Sequence, residues 1–263
     1  MNPERRIFSI TPPFRFYCWD DATNIFFPLK WRAIICRESR YLYLKTKNSI
    51  QVDDAMIDLF ASRGKLVSKD VSPWQTFSGR GMKFHLQSYD WNGCASVSHL
   101  SMKAFLGLMT METVICTPYA KDLPLFSYDS ISAFGKKSLL MELYDTLVAP
   151  VGLMTMDAVK DAYKDLKDKQ PKPAWYDHLR LSPSTFKQGD KIRLSKLAGE
   201  MTSAYLDLFA TARDVDCSAK MEKNRAYVEG LIRNGGPAIN AVRKMLGDEP
   251  AETLFRKHLF ATD

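Results

Sequence analysis

A chain of 263 residues that is 46% apolar and 25% charged has material for one large α/β domain or two small ones, and too much apolar content to stay disordered. No run reaches the roughly 18 apolar residues of a membrane span, and Pro3, Glu4, Arg5 and Arg6 precede no signal-peptide core, so the sequence reads as soluble and intracellular. The net charge of +7 points to an anionic partner, whether nucleic acid, a membrane surface or an acidic protein, without choosing among them.

Residues 14 to 19 and 32 to 45 are dense in Phe, Tyr, Trp, Ile and Leu, and Arg40 to Lys45 alternates apolar with other residues, which predicts strands. The aromatics Phe14, Tyr17, Trp19, Tyr41 and Tyr43 alternate as core residues do and form no basic stripe, which argues against a nucleic-acid surface. Asp53-Asp54 then caps a short helix with Ala55, Met56, Leu59 and Phe60 at helical spacing, closed by Arg63-Gly64. Strand-like runs follow at Lys83 to Tyr89, Ser96 to Phe105, Thr110 to Cys116 and Lys137 to Leu143, with Asn92-Gly93 and Gly107 marking tight connections. Consecutive strands without helices between them predict an antiparallel sheet, and no Gly-rich phosphate loop suggests a doubly wound nucleotide-binding fold.

Asp157 to Lys169 predicts a charged surface helix ended by Gln170-Pro-Lys-Pro173. Leu194, Leu197, Met201, Ala204, Tyr205, Leu208, Phe209 and Ala212 hold a 3.6-residue period, the core stripe of one long helix. Pro237 opens a further helix that Gly247 ends, and Asp248 and Pro250 start the next. No internal repeat or linker interrupts residues 1–263, which read as a single domain. Five widely spaced cysteines and four dispersed histidines offer no metal-ligand spacing and no triad, so structural roles are expected for them.

The segment Thr117 to Asp129 is the most informative stretch, because a strand signal runs into Pro118 and Pro124 and then delivers a carboxylate onto an apolar run. Val114-Ile115-Cys116-Thr117-Pro118, Asp122-Leu123-Pro124-Leu125-Phe126 and Asp129 resemble the ferredoxin-dependent bilin reductases, with their strand ending in Pro, their Leu-Pro-hydrophobic-Phe and their Asp. Near the C-terminus Tyr227, Pro237, Arg243, Leu246-Gly247, Ala251-Glu252 and Leu259-Phe260 follow the final helices of that family in order. The resemblance covers residues 97 to 263 and leaves the first 95 or so unmatched.

What the resemblance implies is a three-layer α/β/α sandwich, a central antiparallel sheet flanked by helices, with a pocket between the sheet and the C-terminal helices. It implies two-electron reduction of a linear tetrapyrrole, biliverdin or a dihydrobiliverdin, through a substrate radical. No metal or flavin is bound; electrons come from reduced ferredoxin or flavodoxin, acidic proteins that suit the positive charge. Asp129 matches the proton-donating aspartate of the central sheet; read without the family, it is a carboxylate that caps the turn after Pro124.

The departures matter too. The His of phycocyanobilin-forming members falls on Thr113, flanked by Glu112; a preceding Glu falls on Ser101; the second Asp of other members, just before the Pro of the late helix, is absent from Asn234-Gly235-Gly236-Pro237. Thr113 is expected to position a bilin, Ser138 to meet a propionate or merely to be tolerated in its strand, and Arg233 and Asn234 to touch a propionate or lactam. Lys136, Lys137, Arg180, Lys187, Lys191 and Arg193 are placed to frame the pocket mouth or dock the electron donor, or else are ordinary solvated charges. A red chlorophyll catabolite reductase-like enzyme and a non-catalytic bilin carrier are the alternatives. The location implied is cytoplasmic, or the plastid stroma of a photosynthetic eukaryote.

Overall fold

The computed structural model describes residues 55–149, 157–181 and 184–263. The strands expected at residues 14 to 19 and 32 to 45, and the Asp53-Asp54 cap, lie outside the described residues. The first described element is the expected short helix, α1 (Ala55–Arg63), which buries Met56, Ile57 and Phe60. Strands β1 (Leu66–Ser68), β2 (Thr76–Gly79), β3 (Met82–Trp91), β4 (Ala95–Ala104), β5 (Met109–Pro118), β6 (Leu125–Ala133) and β7 (Lys136–Tyr144) follow. With β8 (Lys167–Asp168) and β9 (Thr185–Gln188) they form one sheet in the order β1-β3-β4-β5-β6-β7-β9-β8, every pair antiparallel, with β2 also paired to β3. The Asn92-Gly93 turn works as its sequence predicts: φ values of 55° and 62° place both residues in the left-handed region that a tight two-residue hairpin needs.

Helices cover both faces. On one side α1 and α3 (Lys191–Asp207) bury Phe60, Trp91, Val97, Val114, Phe126, Leu197 and Tyr205 against the sheet. The α3 stripe is the predicted one, although α-geometry ends at Asp207 and Leu208–Ala210 tightens into a 3-10 turn. On the other side lie α4 (Cys217–Asn234), α5 (Pro237–Leu246), α6 (Asp248–Thr253) and a π-helical turn, Leu254–Leu259. They close over Phe84, Leu86, Leu100, Met111, Ile115, Leu125 and Tyr144. This is the α/β architecture expected, a large antiparallel sheet between helical layers. Because both faces are covered, β4 is buried along nearly its whole length and shows little alternation.

One element departs from expectation. Helix α2 ends after a single turn, Asp157–Asp161, and Lys167–Asp168 joins β9 as an edge strand, although Asp157 to Lys169 reads as one helix. Edge pairing with Gln188 and Lys187, and the ion pair of Lys187 with Asp168 at 2.8 Å, take precedence over weak local helix propensity there.

Two motifs matched at the sequence level are structural fasteners. Asp122, with its side chain fully buried, pairs with Arg213 and accepts hydrogen bonds from the backbone N–H groups of Val148 (2.8 Å) and Ala149 (3.2 Å). Burial opposes its charge, but these donors outweigh it and hold the carboxyl below its ordinary value. Lys220 of α4, also fully buried, donates to the carbonyls of Leu123 and Thr146, each at 2.5 Å. Asn224, one turn on, donates to the Pro118 carbonyl at 2.7 Å. At the other end of the C-terminal layer, Arg243 and Arg256 share Glu252 at 2.9 and 3.0 Å, and Arg256 also grips Glu229, binding α4, α5 and α6 together.

Candidate functional site

Register fixes which residues share a face, since directly opposed residues of antiparallel strands point the same way. One cross-strand row runs Leu86, Leu100, Thr113, Asp129, Leu140, Phe186, and Asp129 stands inside it, on the face covered by the C-terminal helices. Its residue exposure is 6%. The Thr113 hydroxyl donates to its Oδ1 at 2.5 Å. Burial is the main force on its carboxyl and favours the protonated form; the Thr113 hydrogen bond opposes this and the charge of Glu142 adds to it, leaving a pKa of about 7. A carboxyl in that range holds a proton at neutral pH and can still release it.

The sheet around Asp129 is less tightly covered than the core rows. Ser127, Ile131, Ser138, Leu140 and Phe186 are half-buried on this face. Ser138, paired with Ile131, therefore lies on the Asp129 face, two residue pairs along the strands. Arg233 and Asn234 are exposed at the end of α4, where Gly235 takes φ 80°. Between them and Asp129 stands a ring cluster: Tyr144 and Tyr227 (centroids 4.7 Å apart), Tyr144 and Tyr176 (5.6 Å), Trp175 and Tyr176 (5.5 Å). The Trp175 indole N–H donates to the Gly235 carbonyl at 2.8 Å, joining the cluster to the Asn234-Gly235-Gly236 corner. Burial drives the phenols of Tyr144 and Tyr227 far above their ordinary range, so they remain neutral hydroxyls.

Trp175 fits because Gly230 has no side chain: a Cβ there would overlap the indole ring. Gly230→Ala gains roughly 1 kcal/mol of helix propensity and loses about 1–3 kcal/mol to overpacking. The expected result is a net loss of stability with a red-shifted Trp fluorescence as Trp175 is pushed outward, measured by urea titration and emission spectra.

The second carboxyl of this face escaped the sequence reading. Glu142 follows two residues after Leu140, the strand partner of Asp129, and is 6% exposed. Hydroxyls of Tyr144 and Ser184 donate to it, and Arg180 pairs with it at 2.6 Å. Arg180 also donates to Asp177 at 2.5 Å, and its guanidinium lies 5.3 Å from the Tyr176 ring centroid. Burial works against the Arg180 cation, yet Glu142, Tyr144 and Asp177 hold its pKa above the ordinary value.

Some residues expected at the pocket face elsewhere. Ser101 opposes Glu112 and lies with it on the α3 side; the β4 residue that faces Thr113 is Leu100. His99 joins Glu112 on that far side at 2.8 Å, so neither reaches Asp129. Lys187 is buried on the same far side beside Asp168, and Arg193 pairs with Asp165 and covers the Tyr163 ring. Of the six cations expected at the mouth, Arg180 enters the site, while Lys136 and Lys191 are exposed at the end of the sheet. Among the described residues no cluster of His, Cys, Asp and Glu is arranged to hold a metal ion, and no helix is long and apolar enough to cross a membrane.

Neither a family model nor a curated protein sequence matches the chain. Solved structures do match. The selenomethionine form of phytochromobilin synthase from tomato, crystallised in complex with biliverdin, aligns over 86% of this chain and 83% of its own with a TM-score of 0.57 at 13% identity. At that identity the likeness is one of fold, and it shows this chain to share the α/β fold of that synthase.

Proposed function

We propose that the chain binds a linear tetrapyrrole between the sheet and its C-terminal helices and reduces it by two electrons. The carrying observation is Asp129, a carboxyl buried in mid-sheet that keeps its proton to about pH 7 on a face with half-buried neighbours. The fold shared with an enzyme crystallised with biliverdin supports the choice of ligand. Reducing one double bond consumes two electrons and two protons. The electrons arrive singly from reduced ferredoxin or flavodoxin, so the tetrapyrrole passes through a radical; Asp129 gives a proton and is recharged from water between electrons. Thr113 orients the Asp129 carboxyl, and Ser138, Arg233 and Asn234 are the proposed contacts for propionate or lactam groups.

A second reading, a carrier that holds a bilin without turning it over, is favoured by the row through Asp129, whose other members Leu86, Leu100, Thr113, Leu140 and Phe186 supply no acid. An anaerobic assay with biliverdin, reduced ferredoxin and the full chain separates the two, read by absorption spectra and product chromatography and repeated with an open-chain chlorophyll catabolite. Consumption of the tetrapyrrole with a new product is expected. Spectral binding that persists without product would leave the carrier. Raised salt is expected to slow ferredoxin-driven turnover.

A further inference from the structure

Asp129 and Glu142 occupy one face of adjacent strands, offset by two residues, since Asp129 opposes Leu140 and Glu142 opposes Ser127. Diagonal neighbours of this kind lie roughly 7–8 Å apart, and in a poorly solvated site two carboxylates at that range repel appreciably. The hydrogen-bonding groups are divided unequally between them. Glu142 has the Arg180 cation and the hydroxyls of Tyr144 and Ser184, whereas Asp129 has the hydroxyl of Thr113. Both side chains are buried, so water screens neither well.

We propose that Glu142 is a positioning residue that retains the proton on Asp129, and that Arg180 sets how strongly it does so. The division of partners leaves the Asp129 anion with one donor, and the charge of Glu142 works against it. Arg180 cancels part of the Glu142 field, and it is itself divided between Glu142 and Asp177. A ligand carboxylate that draws the guanidinium away uncovers that field and tightens the hold of Asp129 on its proton. The substrate of the proposed reaction carries two propionates, so binding would arm the acid it needs; this last step rests on the bilin-reductase reading, while the Asp129–Glu142 coupling does not. The titratable and charged groups that act on Asp129 are Glu142 from β7, Tyr176 from the segment before β9 and Tyr227 from α4, and those gathered on Glu142 are Tyr144, Tyr176 and Arg180, with Asp177 on Arg180.

The test is a titration of the Asp129 carboxyl in the ligand-free full chain, by infrared C=O stretch or by NMR with carboxyl-labelled Asp, from pH 5 to 9. Glu142→Gln is expected to lower the midpoint by at least about half a unit, a threefold loss of proton affinity. Arg180→Met is expected to raise it, and Glu142→Asp to restore most of the wild-type value. Midpoints of Glu142→Gln and wild type that coincide, with circular dichroism spectra unchanged, would overturn the proposal. Should Glu142→Gln not fold, an unchanged or lowered midpoint in Arg180→Met overturns it equally. Failure of the biliverdin assay with these shifts intact would sink the reductase reading and leave the coupling standing.

Discussion

Asp129→Asn is expected to be more stable than the wild type at pH 8 and equally stable near pH 4. The sign follows from proton counts. In the unfolded chain the carboxyl loses its proton around 3.8, and in the folded chain around 7, so between these values the native state binds more protons. Wild-type stability therefore falls as pH rises through that window and levels off above it. A shift of about three units sets an upper limit of about 4 kcal/mol on the difference at pH 8, which corresponds to a rise in melting temperature of at most roughly 8–16 °C for a chain of this size. Asn keeps an oxygen for the Thr113 hydroxyl and has no charge to bury. Melting curves at pH 4, 6 and 8 check this; identical midpoints at pH 8 would mean that the native site ionises Asp129 without cost. The same substitution removes the proposed proton donor, for which a loss of about 10²–10⁴ in turnover is expected. A residue that is unfavourable for folding and necessary for reaction is how a site stores function at the expense of stability.

Lys220→Met is expected to be the most destabilising single change in the C-terminal layer, at about 3–5 kcal/mol. The methionine fits the methylene path but leaves the Leu123 and Thr146 carbonyls without their donor in a fully buried setting. Burial already pulls the Lys220 amine down to about 8, with Asp122 and Asp145 pulling the other way, so at pH 7 it enters the core largely as an ammonium that needs those acceptors. Arg213, Val148 and Ala149 still hold Asp122 in the variant. Urea titration gives the magnitude. A loss under about 1 kcal/mol, the value of a surface contact, would show the network to be incidental.

Much of the fold was legible in alternation and turn chemistry. The hairpins around Asn92-Gly93, the α3 stripe and the Pro237-to-Gly247 helix appear where period and punctuation place them. Asp129 was singled out by the two prolines before it and by the family resemblance, whereas β6 around it was not among the expected strands and the turn-capping reading of its carboxylate gives way to a mid-strand position. Glu142 was not, for a physical reason. In Ser138-Leu139-Leu140-Met141-Glu142-Leu143-Tyr144 the polar positions alternate with Leu139, Met141 and Leu143, which reads as one wet face and one dry face. That face is covered at its far end instead, where Glu142 is buried under Arg180 and Tyr144 packs on Tyr227. Ser101 was misplaced by one residue, and in a strand one residue is a change of side. Arg180 lies in an irregular segment before β9, where only tertiary contacts reveal what a charge meets.

The two halves of α4 are fastened by different means. Lys220 and Asn224 tie its first half to the sheet through directional hydrogen bonds that a displacement of an ångström would break. Its second half is held mainly by rings, Tyr227 tilted against Tyr144 with centroids 4.7 Å apart and Gly230 under Trp175, with the Trp175 indole bond to the Gly235 carbonyl at its end. Substitutions in the first half of α4 therefore forfeit directional bonds to the sheet, and those in the second half forfeit aromatic packing.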